Sequence, residues 1–126
     1  MKEFRVQIPN KPGTLAQTTE MLAEKGVNLR SIAGVDAIGT AVAIVPDRED
    51  LARQALNELG FQFKETDLLT VTLEDKPGQL QEVSRTLGDA GVNIDSVYLL
   101  TRAGEEVELG LTVSDLDKAR RTLSTD

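Results

Sequence analysis

The chain of 126 residues repeats its own pattern once, and this repeat limits the possible folds more than any other feature. When the sequence is shifted by 65 positions, the 26 residues that begin at Val6 align with the 26 that begin at Val71, and ten of them are identical. The period is too long and the copies are too few for a solenoid. The sequence therefore predicts two copies of one small module, at residues 1–66 and 67–126.

Each copy is predicted to have the order β-α-β-β-α-β, the split ferredoxin-like arrangement of an α+β fold. The copies start with alternating apolar residues, as half-buried strands do, and Asn10-Lys-Pro-Gly or Asp75-Lys-Pro-Gly then marks a turn and a helix start. Apolar and small residues at helical spacing predict the core face of the first helix. These residues are Leu15, Thr18, Thr19 and Leu22 in one copy and Leu80, Val83, Ser84 and Leu87 in the other.

Gly26 and Gly91 are expected to end these helices in the left-handed conformation, with Val27 and Val92 supplying the accompanying apolar contact. A second helix is predicted to start at Asp47 in the first copy, followed by a short fourth strand from Phe61 to Lys64. The second copy has no segment left for that strand, so we expect either that another chain supplies this edge or that the sequence is truncated before the strand. The two copies are joined directly and are expected to pack together.

Composition excludes several classes of function. The chain has no histidine and no cysteine, so thiol nucleophiles, disulfides and thiolate metal sites are impossible, and no side chain has an unperturbed pKa near neutrality. The net charge of −7 and the scarcity of aromatic residues argue against nucleic acid as a partner. The N-terminus contains no apolar run of signal-peptide length, and no stretch is long enough to span a membrane, so a cytoplasmic protein is expected.

The order of strand, [Asn/Asp]-Lys-Pro-Gly-x-Leu, helix and Gly-Val-Asn-[Leu/Ile] occurs twice. This pattern resembles the ACT domain, and its duplication over nearly the whole chain resembles stand-alone proteins with two ACT domains. The resemblance implies two tandem ferredoxin-like ACT units that bind a free amino acid at an interface between two domains. It also implies a regulatory protein, expected to be a homodimer, that acts on a metabolic enzyme or regulator and needs no cofactor.

The resemblance further implies where the ligand binds. In amino-acid-binding ACT domains, polar contacts come from the loop after the first strand and from the Asn that opens the second strand. The residues implied in the first copy are Asn10, Lys11, Gly13, Thr14, Leu15 and Asn28. Those implied in the second copy are Asp75, Gly78, Gln79, Leu80 and Asn93.

These residue types suit a zwitterion. The first turn of a helix offers unpaired N–H groups and a positive dipole end to a carboxylate, and side-chain oxygens can accept hydrogen bonds from an ammonium group. Asn10 is an amide that donates and accepts, whereas Asp75 only accepts when ionised, so the two copies are not expected to bind the same ligand group equally well. Ala33, Val35, Val97 and Leu99 favour a small or branched apolar ligand, if their strands form the interface.

Each motif also has a purely structural interpretation. Lys-Pro-Gly can be only a turn with Pro in the first helical turn, and Asn28 and Asn93 can simply hold a helix-to-strand turn. Glu105, Glu106 and Glu108 are predicted to be a solvated strand end rather than a metal site, and Arg120-Arg121 an exposed helix face. Two other functions stay open: an ACT-type docking module without a ligand, and a small acylphosphatase-like enzyme. The sequence lacks the Gly-x-Val-x-Gly-Val loop of the latter, so no catalytic residue is assigned.

Overall fold

The computed structural model describes residues 1–37 and 39–124, and of residues 35–37, 39 and 40 only the backbone is described. The chain divides into two compact units, Met1–Thr66 and Asp67–Asp126. Both units mix helices and strands in the order expected from the repeat, and the predicted α+β, ferredoxin-like fold is confirmed. The sequence also predicts a turn at Ala37-Ile38-Gly39, and Ile38 lies outside the described residues.

The elements of the first unit follow the βαββαβ order. They are β1 (Lys2–Gln7), α1 (Thr14–Glu24), β2 (Leu29–Ala37), β3 (Gly39–Pro46), α2 (Glu49–Leu59) and β4 (Phe63–Asp67). The strands form one sheet in the order β2-β3-β1-β4. Strand β3 runs antiparallel to both β1 and β2, with Phe4 opposite Ile44 and Ile32 also opposite Ile44.

The second unit follows the same order without a final strand. Its elements are β5 (Leu69–Glu74), α3 (Gln79–Asp89), β6 (Ile94–Ala103), β7 (Glu106–Val113) and α4 (Leu116–Leu123). The sheet order is β5-β7-β6, and β7 is antiparallel to both neighbours. Within the described part of the chain, the prediction that the second copy lacks its fourth strand is confirmed.

Each unit has its own core between the helices and one face of the sheet. In the first unit, Phe4, Ile44 and Leu56 are almost fully buried, and in the second, Leu87 and Leu111 are fully buried. Burying a side chain of this size contributes about 1.5–3 kcal/mol. The fold of each unit therefore rests mainly on the apolar contacts that its strands and helices make with one another.

The predicted helix ends are confirmed. Gly26 and Gly91 have φ of 78° and 79°, a region that favours glycine, and each directly follows the last turn of its helix. The N–H of Val27 donates to the carbonyl of Leu22, and that of Val92 donates to the carbonyl of Leu87, both at 2.9 Å. This six-to-one bond is the mark of a Schellman cap, and the two valines are buried beside it as expected.

Three predictions about the helices and strands are wrong. Leu15, Leu80 and Ser84 were expected on the core faces of their helices. Leu15 and Leu80 are 48% and 43% exposed and Ser84 is also exposed, because α1 and α3 turn another face to the sheet. The residue that caps α2 is Arg48, since the Asp47 carboxylate accepts the N–H of Asn28 instead. Strand β4 starts two residues later than expected.

The late start of β4 has a local cause. Gly60 ends α2 with a φ of 76°, and the N–H of Phe61 donates to the carbonyl of Leu56 at 3.2 Å. Phe61 therefore completes the helix cap and is not free to pair in the sheet. Phe63 is the first residue of the strand.

Candidate functional site

The first helices of the two units start in the same unusual way. Gly13 and Gly78 are the N-cap residues, with φ of 91° and 93° in the left-handed region, and no side chain caps either helix. The N–H of Thr14 donates to the Lys11 carbonyl at 3.3 Å, and the N–H of Gln79 makes the matching bond to Lys76 at 3.4 Å. The next N–H groups of the first turn lack a side-chain acceptor and can bind an anion.

Backbone conformation explains the glycines at these two positions. A Cβ placed on Gly13 or Gly78 would meet no atom within 4 Å, so neither glycine is required by close packing. A φ near 90° is strained for residues with a side chain. The Lys-Pro-Gly turn thus takes the same shape in both units because of its glycine backbone, and the open space at that glycine leaves the first helical turn accessible.

The side chains of the first turn point to different environments. Thr14 is 4% exposed and its carbonyl accepts the Thr18 hydroxyl at 2.8 Å, so the threonine side chain belongs to the core. Gln79, at the same position in the second unit, is half-buried. Leu15 and Leu80 are among the most exposed large apolar side chains. They provide an apolar surface next to the uncapped N–H groups.

The two asparagines predicted to bind ligand hold the turn that leads into β2 or β6. Asn28 donates its N–H to the Asp47 carboxylate at 2.9 Å and accepts the N–H of Asp47 at 3.0 Å. Asn93 makes the same reciprocal pair with Ser114, through the serine hydroxyl and N–H, both at 2.9 Å. These bonds use only the backbone of the asparagines, so their side chains keep their own hydrogen-bonding groups for other partners.

In the second unit, the side chains of Asp75, Lys76 and Asn93 are held by other residues of the same unit, whereas the matching side chains of the first unit are available. The Asn93 amide donates to Asp95 at 2.8 Å, Asp75 lies 3.3 Å from the Arg102 guanidinium, and Lys76 lies 2.9 Å from Glu74. The bond to Glu74 raises the pKa of the Lys76 ammonium above its ordinary value. In the first unit, within the described residues, no ion pair forms at Lys11 and no side-chain hydrogen bond forms at Asn10.

The described residues contain no group of acidic side chains arranged to hold a metal ion. Glu105 and Glu106 are exposed and Glu108 is half-buried. None of the helices in the described residues is both long and apolar enough to cross a membrane.

The comparison with known families decides the identity of the second unit. The model of the family described as ACT domain matches residues 68–119, which cover most of that unit. The second unit is an ACT domain. The first ACT-like unit repeats its motif and its strand order, so the chain has the tandem ferredoxin-like architecture implied by the resemblance.

Solved structures share the fold of this chain. The chain is 25% identical to protein BT0572 from Bacteroides thetaiotaomicron, covering 97% of this chain and 85% of that one, with a TM-score of 0.86. It is 19% identical to the regulatory subunit of aspartate kinase from Thermus thermophilus in its ligand-free form, covering 97% and 89%, with a TM-score of 0.68. The second likeness shows the fold alone. No curated protein matches the sequence significantly.

Several residues that shape the two ACT loops were not singled out as site residues. Arg102 and Asp95, which engage Asp75 and Asn93, lie on β6 and carry no signal in the sequence, because their partners are set by the strand geometry. Asp47 was predicted only as a helix start, but its carboxylate accepts the N–H of Asn28, and the Ser114 hydroxyl accepts the N–H of Asn93 in the second unit. Asp47 and Ser114 each lie one position before the N-cap residue of the next helix. This equal position could have revealed that both residues hold an asparagine turn.

Proposed function

We propose that this chain is a regulatory protein that binds a free amino acid at the start of α1, with Asn10, Lys11, Gly13, Leu15 and Asn28 as the binding residues. The ACT match supports an amino-acid-sensing, regulatory role in general. In the proposed complex, the N–H groups of the first turn of α1 bind the ligand carboxylate, and the side-chain oxygens of Asn10 and Asn28 accept from the ammonium group. The placement of this site at an interface between ACT units rests on the resemblance alone.

One observation carries the choice of the first unit. Its loop combines an uncapped helix start with an Asn10 side chain and a Lys11 ammonium that have no ion pair or side-chain hydrogen bond within the described residues. The matching groups of the second unit are held by Arg102, Glu74 and Asp95. A ligand at the second loop has to displace these contacts before it binds, so Asp75, Gly78, Gln79, Leu80 and Asn93 form the weaker site.

The exposed Leu15 side chain favours an amino acid with an apolar side chain. A ligand at this position can bury part of Leu15, which is 48% exposed, and apolar burial adds about 25 cal/mol per Å². Binding is proposed to act on a metabolic enzyme or regulator in the cytoplasm, with the chain as a homodimer.

A thermal-shift screen of the full chain against the twenty amino acids tests the proposal. A ligand at 100 times its Kd stabilises the native state by about 2.7 kcal/mol, which raises the melting temperature by about 10 °C for a chain of this size. We expect a response to one or a few apolar amino acids, lost in Asn10→Ala and Asn28→Ala. Because Asn28 holds its turn through the backbone, alanine there leaves the fold intact.

Asp75→Ala and Asn93→Ala are the matched controls, since they remove the same atoms from the second unit. They should leave the main response unchanged. A flat panel with well-folded protein would overturn the sensor proposal and favour the docking module. Equal losses in both sets of variants would show that the two loops contribute to one site.

A further inference from the structure

The hairpin formed by β6 and β7 is longer than the matching hairpin of the first unit. Gly34 of β2 faces Val42 of β3, eight positions later in the chain. Leu99, which is 65 positions after Gly34, faces Leu109 of β7, ten positions later. The second unit therefore has two extra residues in this hairpin.

One of the extra residues is Leu100, at a β-bulge where the register between β6 and β7 shifts by one residue. Its side chain is half-buried and lies over Gly110 of β7, since a Cβ placed on that glycine would be 3.1 Å from Leu100 Cδ1. The first unit has Ala43 at the matching position, and the register of β2 does not shift between Ser31 and Ala37. A bulge bends its strand and can redirect it towards a neighbouring site.

The lengthened hairpin reaches the loop that precedes α3. The carbonyl of Glu105, in the hairpin turn, accepts the N–H of Asp75 at 2.7 Å. The Nη1 of Arg102 lies 3.3 Å from Oδ2 of the same aspartate. The hairpin thus engages both the main chain and the side chain of Asp75. The N–H of Asn10, the matching loop residue, forms no hydrogen bond within the residues that the structure describes in the first unit.

The charges beside this contact are mainly acidic. Glu74 of β5 directly faces Glu106 of β7, and like charges in such positions repel each other. Glu105 is a further exposed acid. Arg102 is the cation that pairs with Asp75 in the described part of the chain. Its guanidinium offsets a repulsion that would otherwise separate the hairpin from the loop.

The contact is also weak enough to open. The side chains of Arg102 and Asp75 are 61% and 44% exposed, and exposed ion pairs contribute little to stability because water and salt screen them. The main-chain bond from Asp75 to Glu105 lies at the end of the sheet, beyond the last residue of β5. The hairpin turn can therefore separate from the loop while the rest of the sheet stays paired.

We propose that the β6–β7 hairpin is a latch that closes the second loop and regulates ligand binding there. In the closed state, Arg102 and Glu105 engage the groups of Asp75, which then cannot contact a ligand. In the open state, the loop is as accessible as the Asn10 loop of the first unit. The apparent affinity of the second loop is reduced by the fraction of molecules in which the latch is open. The regulatory part rests on the proposed function, whereas the closing of the loop does not.

Amide hydrogen exchange of the full chain, followed by NMR without any ligand, tests the latch itself. We expect the protection factor of the Asp75 amide to exceed that of Asn10 about fivefold or more, because only the former donates a hydrogen bond. Arg102→Ala should lower the protection of Asp75 about twofold to fivefold and leave the amides in the middle of β7 unchanged. Arg102→Lys, which keeps the charge, should retain part of the protection.

Arg121→Ala is the matched control, since it removes an exposed arginine of the same unit from α4. It should leave the protection of Asp75 unchanged. Sodium chloride at about 1 M, where the Debye length is about 3 Å, should lower the protection of Asp75 in the unchanged chain. It should have no such effect in Arg102→Ala, because the pair that salt screens is already lost.

The regulatory part is tested with the amino acid that gives the largest thermal shift in the panel of twenty. It is titrated into Asn10→Ala, in which the first loop is disabled, with and without Arg102→Ala. The added change should raise the affinity of the second loop by the factor by which the protection of Asp75 falls, because both quantities report the same opening. A flat panel would overturn the proposed function and the regulatory part with it, while amide exchange would still decide whether the hairpin closes the loop.

Three other outcomes would overturn the proposal. The first is an Asp75 amide that is no better protected than that of Asn10 in the unchanged chain. The second is an equal change of protection in Arg102→Ala and Arg121→Ala. The third is a lower protection of Asp75 in Arg102→Ala without any gain in affinity, because the contact would then hold the hairpin without regulating the loop.

Discussion

The two units have the same pattern and the same chain path, but they divide the available contacts in opposite ways. In the first unit, the ion pair of Arg53 with Glu65 holds β4 at the edge of the sheet, and the side chains of the Asn10-Lys-Pro-Gly loop stay available. In the described part of the second unit β5 pairs with β7 alone, and the Asp75 side chain of the loop is engaged by Arg102. Two copies of one module can thus keep the same fold while differing in which of their side chains form contacts within the unit.

The largest effects are expected from the cores. Leu22 and Leu87 are 65 positions apart and 1% and 0% exposed, so alanine at either site should cost about 2–5 kcal/mol. Tyr98 is the single tyrosine of a chain without tryptophan, and it lies in the second unit, so its fluorescence reports on that unit alone. We expect Leu87→Ala to shift the urea transition of Tyr98 to lower concentration, ahead of the circular dichroism transition.

Leu22→Ala should shift circular dichroism first and Tyr98 later. Leu80→Ala is the control, since its side chain is 43% exposed and its truncation should change stability little. Coincident shifts of both signals in both core variants would contradict the comparison, because the two units would then unfold as one cooperative body.

The glycine loops are expected to give equal effects in the two units. Gly13 and Gly78 have the same left-handed conformation, in which alanine costs about 1–2 kcal/mol, and open space surrounds both. Gly13→Ala and Gly78→Ala should therefore lower the free energy of unfolding by similar amounts. The control Gly88→Ala, inside α3 with open space around it, should raise stability by about 0.5–1 kcal/mol. If one of the two glycine variants loses much less stability than the other, the backbone of that loop has changed its conformation to accept alanine.

The strand order, the glycine caps and the core faces of the helices could be predicted only in part from the sequence. The repeat and the glycine positions specify local backbone geometry, so the strand order and the caps at Gly26 and Gly91 were predicted correctly. Helical spacing placed Leu15 and Leu80 in the core, because spacing alone cannot tell a core face from a second apolar face.

The contacts that distinguish the two units could not be predicted at all. Glu65 lies 12 residues from Arg53, and their pairing depends on the side-by-side placement of β4 and α2. Arg102 reaches Asp75 because β6 and β5 both pair with β7, which places residues from distant parts of the sequence in one sheet. Such pairs arise from the folded sheet, whereas the loop motif that suggested the ligand site is local and visible in the sequence.

A smaller, pH-dependent effect on stability is expected where Glu65 of β4 pairs with Arg53. The hydrogen bonds from Arg53 hold the pKa of the Glu65 carboxyl below its ordinary value of 4.5. A depressed pKa in the folded state stabilises the protein fully above 4.5, and this contribution is lost as the pH falls through the folded value. Glu65→Gln should therefore lower the melting temperature at pH 7, and the difference from the unchanged chain should shrink below pH 4.

Arg120→Ala is the control for this pH dependence, because its side chain has no carboxylate partner within the described residues. It should show no loss of stability that depends on pH in the same range. A Glu65→Gln deficit that stays constant from pH 7 to pH 3 would mean that the carboxylate charge does not stabilise the edge.

The smallest effect on stability, and the sharpest test of the comparison, is expected from Asp75→Asn. This change gives the second loop the residue of the first and removes the charge that attracts Arg102, an exposed pair 3.3 Å apart. Loss of such a pair should change the free energy of unfolding by less than about 1 kcal/mol. Ligand binding should respond more strongly, because the loop then offers an amide that donates and accepts.

The experiment is done in the Asn10→Ala background, where the first site is disabled and any response comes from the second. A restored thermal shift with the same amino acid would show that the residue at this one position decides which unit binds. Without a restored shift, Asp95→Ala is added to release the Asn93 amide from its 2.8 Å bond. If the combined variant still does not respond, the engaged loop is not what separates the two units, and the difference must lie in the residues around Leu15 and Leu80.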